Sequence, residues 1–213
     1  MSMPADRIHL IRHGEVHNPD GVLYGRLPNF NLSERGTQMA QKAADDLVHQ
    51  GRKYSALFAS PLTRTQQSAQ PVSKALNLSV QTEPRIIEPS NVFEGRRVGF
   101  ATAIRHPHIL IRLLNPLRPS WGEPYRDIAK RMFEAIEAAE NSVDDGDVIL
   151  VSHQLPIVMV QRSLAGKLLA HNPRRRRCSL SSITTLQRIN GRLVEIDYRE
   201  PALRLPSTDR GAA

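Results

Sequence analysis

The chain has 213 residues, of which 40% are hydrophobic and 23% are charged, and its formal net charge is +8. This length and composition are typical of one globular domain with a sizeable core, and the lone Cys178 excludes an internal disulfide framework. No apolar run approaches the roughly 18 residues that a membrane span needs, and no apolar signal stretch opens the chain, so the sequence predicts a cytoplasmic protein without a membrane partner.

The basic residues are biased toward arginine, because only five of the 29 are lysines. Guanidinium groups bind phosphate or carboxylate through paired hydrogen bonds, so this bias indicates an anionic partner, although GC-rich codon usage would produce it as well. Four arginines form the run Arg174-Arg175-Arg176-Arg177, which is either a solvated loop or a contact for an acidic partner. No aromatic residue interleaves the run, which argues against a nucleic-acid partner.

The predicted elements alternate between strands and helices. In chain order they are a strand at 7–12, a helix from the N-cap Ser33 to Gly51, a strand at 55–60, a helix at 63–76, a short strand at 78–82, a helix opened by Pro124, a strand at 147–152, a helix at 156–164, and a hairpin of 182–188 and 192–198. This order predicts an α/β fold with three α/β/α layers, a mostly parallel sheet and an antiparallel edge hairpin.

One domain is predicted over residues 1–200. Hydrophobic periodicity fades between residues 91 and 123, which predicts an excursion over one end of the sheet. Residues 201–213 are polar and contain proline, so we expect them to form a disordered tail.

Reactive side chains follow several predicted strands, at the edge where open α/β sheets bind ligands. Arg12 and His13 follow the first strand, Arg64 follows the second, and His153 follows the strand at 147–152. Glu88 comes after the third strand, directly behind two isoleucines. Burial there would raise its pKa and keep a proton available near neutral pH.

Several chemistries are excluded by the motifs that the chain lacks. It has no Gly-x-Ser-x-Gly elbow, no Gly-x-Gly-x-x-Gly turn and no Gly-x-x-x-x-Gly-Lys-Ser/Thr loop. Cys178 has no histidine beside it, which argues against a thiol nucleophile. His9, His13 and His17 are spaced four apart, but the segment is predicted to be extended rather than helical, so no metal site is expected.

Of the catalytic chemistries considered, the one that remains uses a histidine nucleophile surrounded by cations. Imidazole can attack phosphorus to form a phosphohistidine, and arginines can stabilise the charge of the transition state. His13 is therefore the candidate nucleophile, and Glu88 is suited to protonate the leaving oxygen. The phosphate would be bound by Arg12, Arg64 and His153. This chemistry needs no cofactor, and its partner is a small phosphorylated substrate.

Four segments, in the same order, resemble the histidine phosphatase superfamily, which has the phosphoglycerate-mutase-like fold. They are Leu10-Ile-Arg-His-Gly-Glu15, Leu32-Ser-Glu-Arg-Gly36, Ser60-Pro-Leu-Thr-Arg64-Thr65 and Val151-Ser-His153. The resemblance implies that His13 becomes phosphorylated and that Glu88 is the general acid. It also implies that Arg12, Arg64 and His153 hold the phosphoryl group.

Further residues follow from the same resemblance. Asn18, Tyr24 and Arg26 are candidate substrate contacts, the last two because they lie where the family has its substrate loop. Glu94 is an alternative general acid, because the family acid is commonly followed after a few residues by glycine, and Gly95 stands here. Many members also have glycine after the second histidine, where this chain has Gln154.

The sequence favours a phosphomonoester hydrolase over two alternatives. A phosphoglycerate mutase would use the same histidine, but Arg85-Ile-Ile-Glu88 does not resemble the stretch around the acid in mutases. A basic binding module with a vestigial pocket would exploit the +8 charge. Such a module would not be expected to keep all five reactive groups. The sequence specifies neither the identity of the substrate nor an oligomeric state.

Overall fold

The computed structural model describes residues 4–97 and 122–206, and its elements follow the predicted order. The strands are β1 (Ile8–Arg12), β2 (Tyr54–Ala59), β3 (Val80–Thr82), β4 (Asp147–Ser152), β5 (Ile183–Ile189) and β6 (Arg192–Arg199). The helices are α1 (Glu34–His49), α2 (Thr63–Leu76), α3 (Tyr125–Glu140) and α4 (Gln154–Leu164).

Local sequence signals account for the helix ends. Ser33 caps α1, since its Oγ accepts a hydrogen bond of 2.9 Å from the backbone N–H of Gly36. The helix α4 begins at Gln154, earlier than the predicted start at Pro156. Proline fits in this first turn because the N–H that it lacks would have no helical partner there. The chain leaves α4 through Gly166, whose φ of 64° favours glycine.

All six strands form one sheet in the order β3-β2-β4-β1-β5-β6. Strands β3, β2, β4 and β1 run parallel, whereas β5 is antiparallel to β1 and β6 is antiparallel to β5. Asn190 and Gly191 turn the chain between β5 and β6, both at positive φ, as a tight hairpin requires. The structure thus confirms the mostly parallel sheet with its antiparallel edge hairpin.

Helices cover both faces of the sheet. The helices α1 and α2 pack on one face around Ile11, Leu57 and Val151, and α3 and α4 pack on the other around Leu10 and Val148. Neighbouring residues of a strand point to opposite faces, which is why Leu10 and Ile11 enter different cores. The three-layer α/β/α arrangement expected from the sequence is therefore present.

Two irregular stretches were predicted outside this framework. The predicted excursion at 91–123 falls mostly on residues 98–121, which lie outside the described residues, but an antiparallel bridge joins its ends at Asn91 and Gly122. The structure corrects the predicted start of the disordered tail, because Ala202 is buried against Met39 and Leu180. Residues 207–213 lie outside the described residues. None of the helices given above has the length and apolar character that crossing a bilayer requires.

A buried polar cluster joins β1 to β4 near their amino-terminal ends. His9 Nε2 lies 2.9 Å from Asp147 Oδ2, and Arg52 donates two hydrogen bonds to the same carboxylate. Burial lowers the pKa of His9, so the ring is neutral at pH 7. Burial would by itself raise the pKa of Asp147, but the hydrogen bonds from Arg52 and His9 outweigh it and lower this pKa.

Replacing the buried carboxylate, Asp147→Asn, is expected to lower the free energy of unfolding by about 3 kcal/mol at pH 7, because breaking a buried pair leaves its partners uncompensated. Since the pKa of Asp147 is depressed in the folded state, its contribution is present above about pH 4 and is lost as the pH falls further. Urea unfolding at pH 7 and pH 3 measures both effects. Asp145→Asn, in an exposed pair with Lys53, serves as control, and an equal loss there would contradict the prediction.

Candidate active site

The predicted site residues meet at the carboxyl ends of β1, β2 and β4. The backbone N–H of His13 donates to the carbonyl oxygen of Ser152 at 3.1 Å, which continues the pairing of β1 with β4. His13 and His153 therefore lie side by side, with ring centroids 5.2 Å apart. Arg12 ends β1 and Arg64 stands in the first turn of α2, and each is only 1% exposed.

The loop after β1 packs directly against the start of α1, and this contact requires glycine on both sides. A Cβ at Gly14 would lie 2.3 Å from the carbonyl oxygen of Gly36, and a Cβ at Gly36 would lie 2.0 Å from that of Glu15. Ser33 Oγ also donates to Glu15 Oε1 at 2.7 Å. The first two segments of the family resemblance thus form one junction that holds the backbone beside His13.

His13 has a defined tautomer. Its Nδ1 lies 2.8 Å from the carbonyl oxygen of Gly14, which can only accept, so Nδ1 carries the proton. Burial, followed by the charges of Arg64 and Arg12, lowers the pKa of His13 well below its usual value. The ring is therefore neutral at pH 7, with its lone pair on Nε2. This is the form in which imidazole acts as a nucleophile.

Backbone carbonyls hold both buried arginines. Arg12 Nη1 donates to the carbonyl oxygen of Cys178 at 2.7 Å, and Arg64 Nη2 donates to that of Gly25 at 2.7 Å. The guanidinium of Arg64 also lies 4.8 Å from the centre of the Tyr24 ring. Carbonyl oxygens fix the orientation of a guanidinium without neutralising its charge.

His153 is fully buried between a hydroxyl and a carboxyl group. Its Nε2 lies 2.8 Å from Ser60 Oγ, and its Nδ1 lies 3.7 Å from Glu88 Oε2. Burial, together with neighbouring charges of which Arg64 contributes most, lowers the pKa of His153 well below its usual value. The second imidazole is therefore also neutral at pH 7 and can hydrogen-bond to a phosphoryl oxygen only through a ring nitrogen that carries a proton.

Burial raises the pKa of the Glu88 carboxyl to about 7. Four guanidinium groups act in the opposite direction, because they favour the ionised form: Arg64, Arg176, Arg12 and Arg131. The net result is a carboxyl group that holds a proton on a large fraction of molecules at neutral pH. Such a group can donate a proton in one step and accept one in the next.

Buried polar atoms at the site that have no hydrogen-bond partner among the residues that the structure describes include Arg64 Nε, Glu88 Oε1 and His153 Nδ1. Buried polar atoms in native proteins are nearly always paired, so this grouping indicates a ligand that itself forms hydrogen bonds. Within residues 4–97 and 122–206, no three His, Cys, Asp or Glu side chains are placed to share a metal ion.

The three candidate substrate contacts are placed differently. Tyr24 borders the site, with its ring 6.5 Å from that of His13. Arg26 Nε donates to the carbonyl oxygen of Glu88, so this arginine also lies at the site. Asn18, by contrast, closes its own loop through hydrogen bonds of 2.8 and 3.2 Å with the backbone of Val22.

Glu94, the alternative acid, is tied to the backbone. Its Oε1 accepts hydrogen bonds of 3.0 Å from the N–H groups of Arg26 and Asn91. These bonds join the loop that carries Arg26 to the turn that begins at Asn91. Of the two candidate carboxyl groups, Glu88 is the one that the structure brings next to His153.

The sequence reasoning missed Ser60 and Arg176. Ser60 stands in one of the matching segments, but its contact with the second histidine was not anticipated. Arg176 turns inward from the arginine run, where its Nη1 donates to Gln154 Oε1 at 3.0 Å, and its charge acts on Glu88. The polar residue in place of the usual glycine after the second histidine was the signal that could have indicated this contact.

Comparison with known proteins agrees with this geometry. Residues 8–199 match the histidine phosphatase superfamily (branch 1), as the four segments suggested. The chain is 48% identical over 202 residues to Rv0525 of Mycobacterium tuberculosis, an uncharacterized protein, and the match covers 94% of this chain and 99% of that one. It is 31% identical over 151 residues to the 2,3-bisphosphoglycerate-dependent phosphoglycerate mutase of Thermoplasma acidophilum, covering 70% of each.

A solved structure shares the fold. The alpha-ribazole phosphatase from Shigella flexneri superposes with a TM-score of 0.72 at 21% identity, over 94% of this chain and 100% of that one. The match extends across nearly the whole of both chains, so the phosphoglycerate-mutase-like fold expected from the sequence is present.

We expect Gly36→Ala to lower the free energy of unfolding by about 3 kcal/mol or more, because its Cβ would meet backbone atoms that cannot rotate away. Gly51→Ala is the matched control. Gly51 has a φ of 63° with open space around it, so only the backbone strain of about 1–2 kcal/mol applies. Chemical denaturation of both variants measures the difference, and a cost at residue 36 no greater than at residue 51 would refute the tight junction.

Proposed function

Because the chain belongs to the histidine phosphatase superfamily (branch 1), we propose that it hydrolyses phosphomonoesters of small metabolites through a phosphohistidine on His13. The observation that carries this proposal is the neutral ring of His13, whose proton is held on Nδ1 by Gly14 while buried cations surround it. In this scheme the positive charge that phosphoryl transfer needs comes from Arg12 and Arg64, so no metal ion is required.

The first step transfers the phosphoryl group to the enzyme. The lone pair on His13 Nε2 attacks phosphorus, a P–N bond forms, and the P–O bond to the leaving group breaks. Glu88 gives its proton to the leaving oxygen, which departs as an alcohol. Arg12, Arg64 and His153 hold the transferred oxygens, a contribution that typically amounts to about 2.7–4 kcal/mol for each well-placed donor.

The second step releases inorganic phosphate. Glu88, now ionised, accepts a proton from a water molecule that attacks the phosphohistidine. The P–N bond breaks, His13 recovers its lone pair, and Glu88 is again protonated. Tyr24 and Arg26, which border the site, are proposed contacts for the part of the substrate beyond its phosphate. Asn18 stays a predicted contact.

His13→Ala is expected to abolish the hydrolysis of p-nitrophenyl phosphate, because it removes the proposed nucleophile that forms the covalent intermediate. Acid quenching of the wild type during turnover of a radiolabelled substrate should trap label that is acid-labile and base-stable, as phosphohistidine is. His17→Ala, which removes an exposed histidine from the same loop, is the control and should keep both signals. Turnover by the His13 variant at the wild-type rate would end the proposal.

A pH profile tests Glu88. Since the acid must be protonated and its pKa is about 7, kcat/KM should fall as the pH rises above 7. Glu88→Gln is expected to lose this limb and to be slower by about 10²- to 10⁴-fold on an alkyl phosphate. The loss on p-nitrophenyl phosphate should be smaller, because its leaving group needs little protonation.

Glu94→Gln is the control for that experiment. If Glu88 is the acid, the basic limb persists in this variant, because Glu94 then serves only to bind the backbone of Arg26 and Asn91. A profile that loses its basic limb with Glu94→Gln and keeps it with Glu88→Gln would assign the role to Glu94 instead.

Phosphoglycerate mutase is the second candidate, because a mutase of Thermoplasma acidophilum is 31% identical over 151 residues. A mutase uses the same phosphohistidine but returns the phosphoryl group to a bound sugar acid. With 3-phosphoglycerate and a bisphosphoglycerate primer, a mutase would isomerise the monophosphate much faster than it releases phosphate. We expect the reverse order of rates.

A further inference from the structure

A second cavity lies beside the candidate active site. It has a volume of about 390 Å³ and is bounded by α4, by the residues that follow α4, and by Glu195 of β6. Five basic side chains line it, which are Arg162, Lys167, Arg175, Arg176 and Arg177. Among its lining residues in the described part of the chain, Glu195 is the one carboxylate, so the cavity is strongly positive.

Little in the cavity compensates this charge. Glu195 is already engaged by a hydrogen bond from Arg177. Lys167 and Arg175 are exposed, and across the described ranges neither side chain has a hydrogen bond or an ion pair. Burial lowers the pKa of His171, so this lining residue is neutral at pH 7. Like charges gathered in a concave surface attract a counter-ion from solution.

Two of the cationic side chains are held in position by the protein. Arg176 Nε donates to His171 Nε2 at 2.9 Å, and its Nη1 donates to Gln154 Oε1 at 3.0 Å. Arg162 Nε donates to the carbonyl oxygen of Leu168 at 2.6 Å. Fixed donors lose less conformational entropy when a ligand binds, so this part of the cavity is preorganised.

We infer that this cavity binds a small polyanion that carries phosphate or carboxylate groups at two positions. The cations come from two segments: Arg162 in the last turn of α4 and Lys167 just after this helix form one, and Arg175 and Arg176 in the arginine run form the other. Each segment can therefore hold one anionic group. The volume is typical of a small-molecule site. The described lining contains no Phe, Tyr or Trp on which a nucleobase would stack.

The cavity is distinct from the phosphate site at His13 but adjoins it. Arg176 lines the cavity, and its partner Gln154 directly follows His153. A ligand in the cavity would therefore lie one side chain away from the candidate catalytic residues. The inference does not rest on the proposed hydrolysis, because Arg162, Lys167 and Arg175 have no role in the reaction scheme.

Tungstate, a strongly scattering oxyanion, tests the location. In crystals of the full chain soaked with tungstate, anomalous density is expected in the cavity, in contact with at least one of Arg162, Lys167 and Arg175. Density confined to the neighbourhood of His13, or absent from the protein altogether, would overturn the inference.

Titration calorimetry with methylenediphosphonate, which cannot be hydrolysed, tests the affinity in solution. Lys167→Ala/Arg175→Ala should weaken one binding event of the wild type by at least tenfold. Lys42→Ala/Lys74→Ala, which removes two exposed charges from the opposite face of the sheet, should leave every binding event in place. Equal affinities in the two double variants would overturn the inference. Neither readout depends on turnover, so the outcome is independent of the proposed reaction.

Discussion

The parallel pairing of β1 with β4 is the constraint on which the candidate site depends. Arg12 lies opposite Ser152 in this pairing, so the residues that follow, His13 and His153, leave the sheet at the same height and on adjacent strands. The separation of 5.2 Å between their rings follows from strand spacing and register rather than from any contact between the two side chains. The cluster of His9 and Asp147 holds the same two strands together near their other ends.

Burial and positive charge act together on the protonation states at this site. Both disfavour the protonated form of His13, so the field that would attract a phosphate also keeps this candidate nucleophile neutral. For Glu88 they oppose each other, and burial prevails by enough to leave the pKa at about 7. The same buried, positively charged surroundings therefore favour a neutral imidazole at His13 and a protonated carboxyl group at Glu88. Partial exposure of the site would weaken both effects at once, whereas in the structure His13, Glu88 and His153 are all buried.

The arrangement of the sheet and helix layers and the central residues of the candidate site could be predicted, because local sequence patterns specify them. Residues 148–151 of β4 form an uninterrupted apolar run and α2 begins directly after the Ser60-Pro-Leu segment, and both elements have the predicted bounds. The start of α4 was predicted too late, because a helix's first turn tolerates residues that do not continue its apolar stripe. The tail was misjudged at Ala202, since one small apolar residue that packs against Met39 gives no periodic signal.

Sequence reasoning could not predict the contacts of side chains whose partners are distant in the sequence. The sequence alone does not distinguish the four consecutive arginines from one another. In the structure, however, Arg176 turns inward while its neighbours are exposed. What distinguishes it is an acceptor on another element, Gln154 Oε1. Asn18, a predicted substrate contact, also forms hydrogen bonds with the backbone of Val22 in its own loop, and the sequence pattern did not indicate these bonds. Tertiary partners, rather than residue type, decide these cases.

Arg26 connects the candidate acid to the far side of the site. Its Nε donates to the backbone carbonyl of Glu88, and its Nη2 lies 3.2 Å from the carboxylate of Glu123. Arg131 of α3 holds that carboxylate with two further hydrogen bonds, of 2.7 and 3.0 Å. Glu123 neighbours Gly122, which pairs with Asn91, so the bridge between Asn91 and Gly122 is joined through Glu123 and Arg26 to the backbone of Glu88. This series of contacts fixes the backbone position of the candidate acid relative to the start of α3.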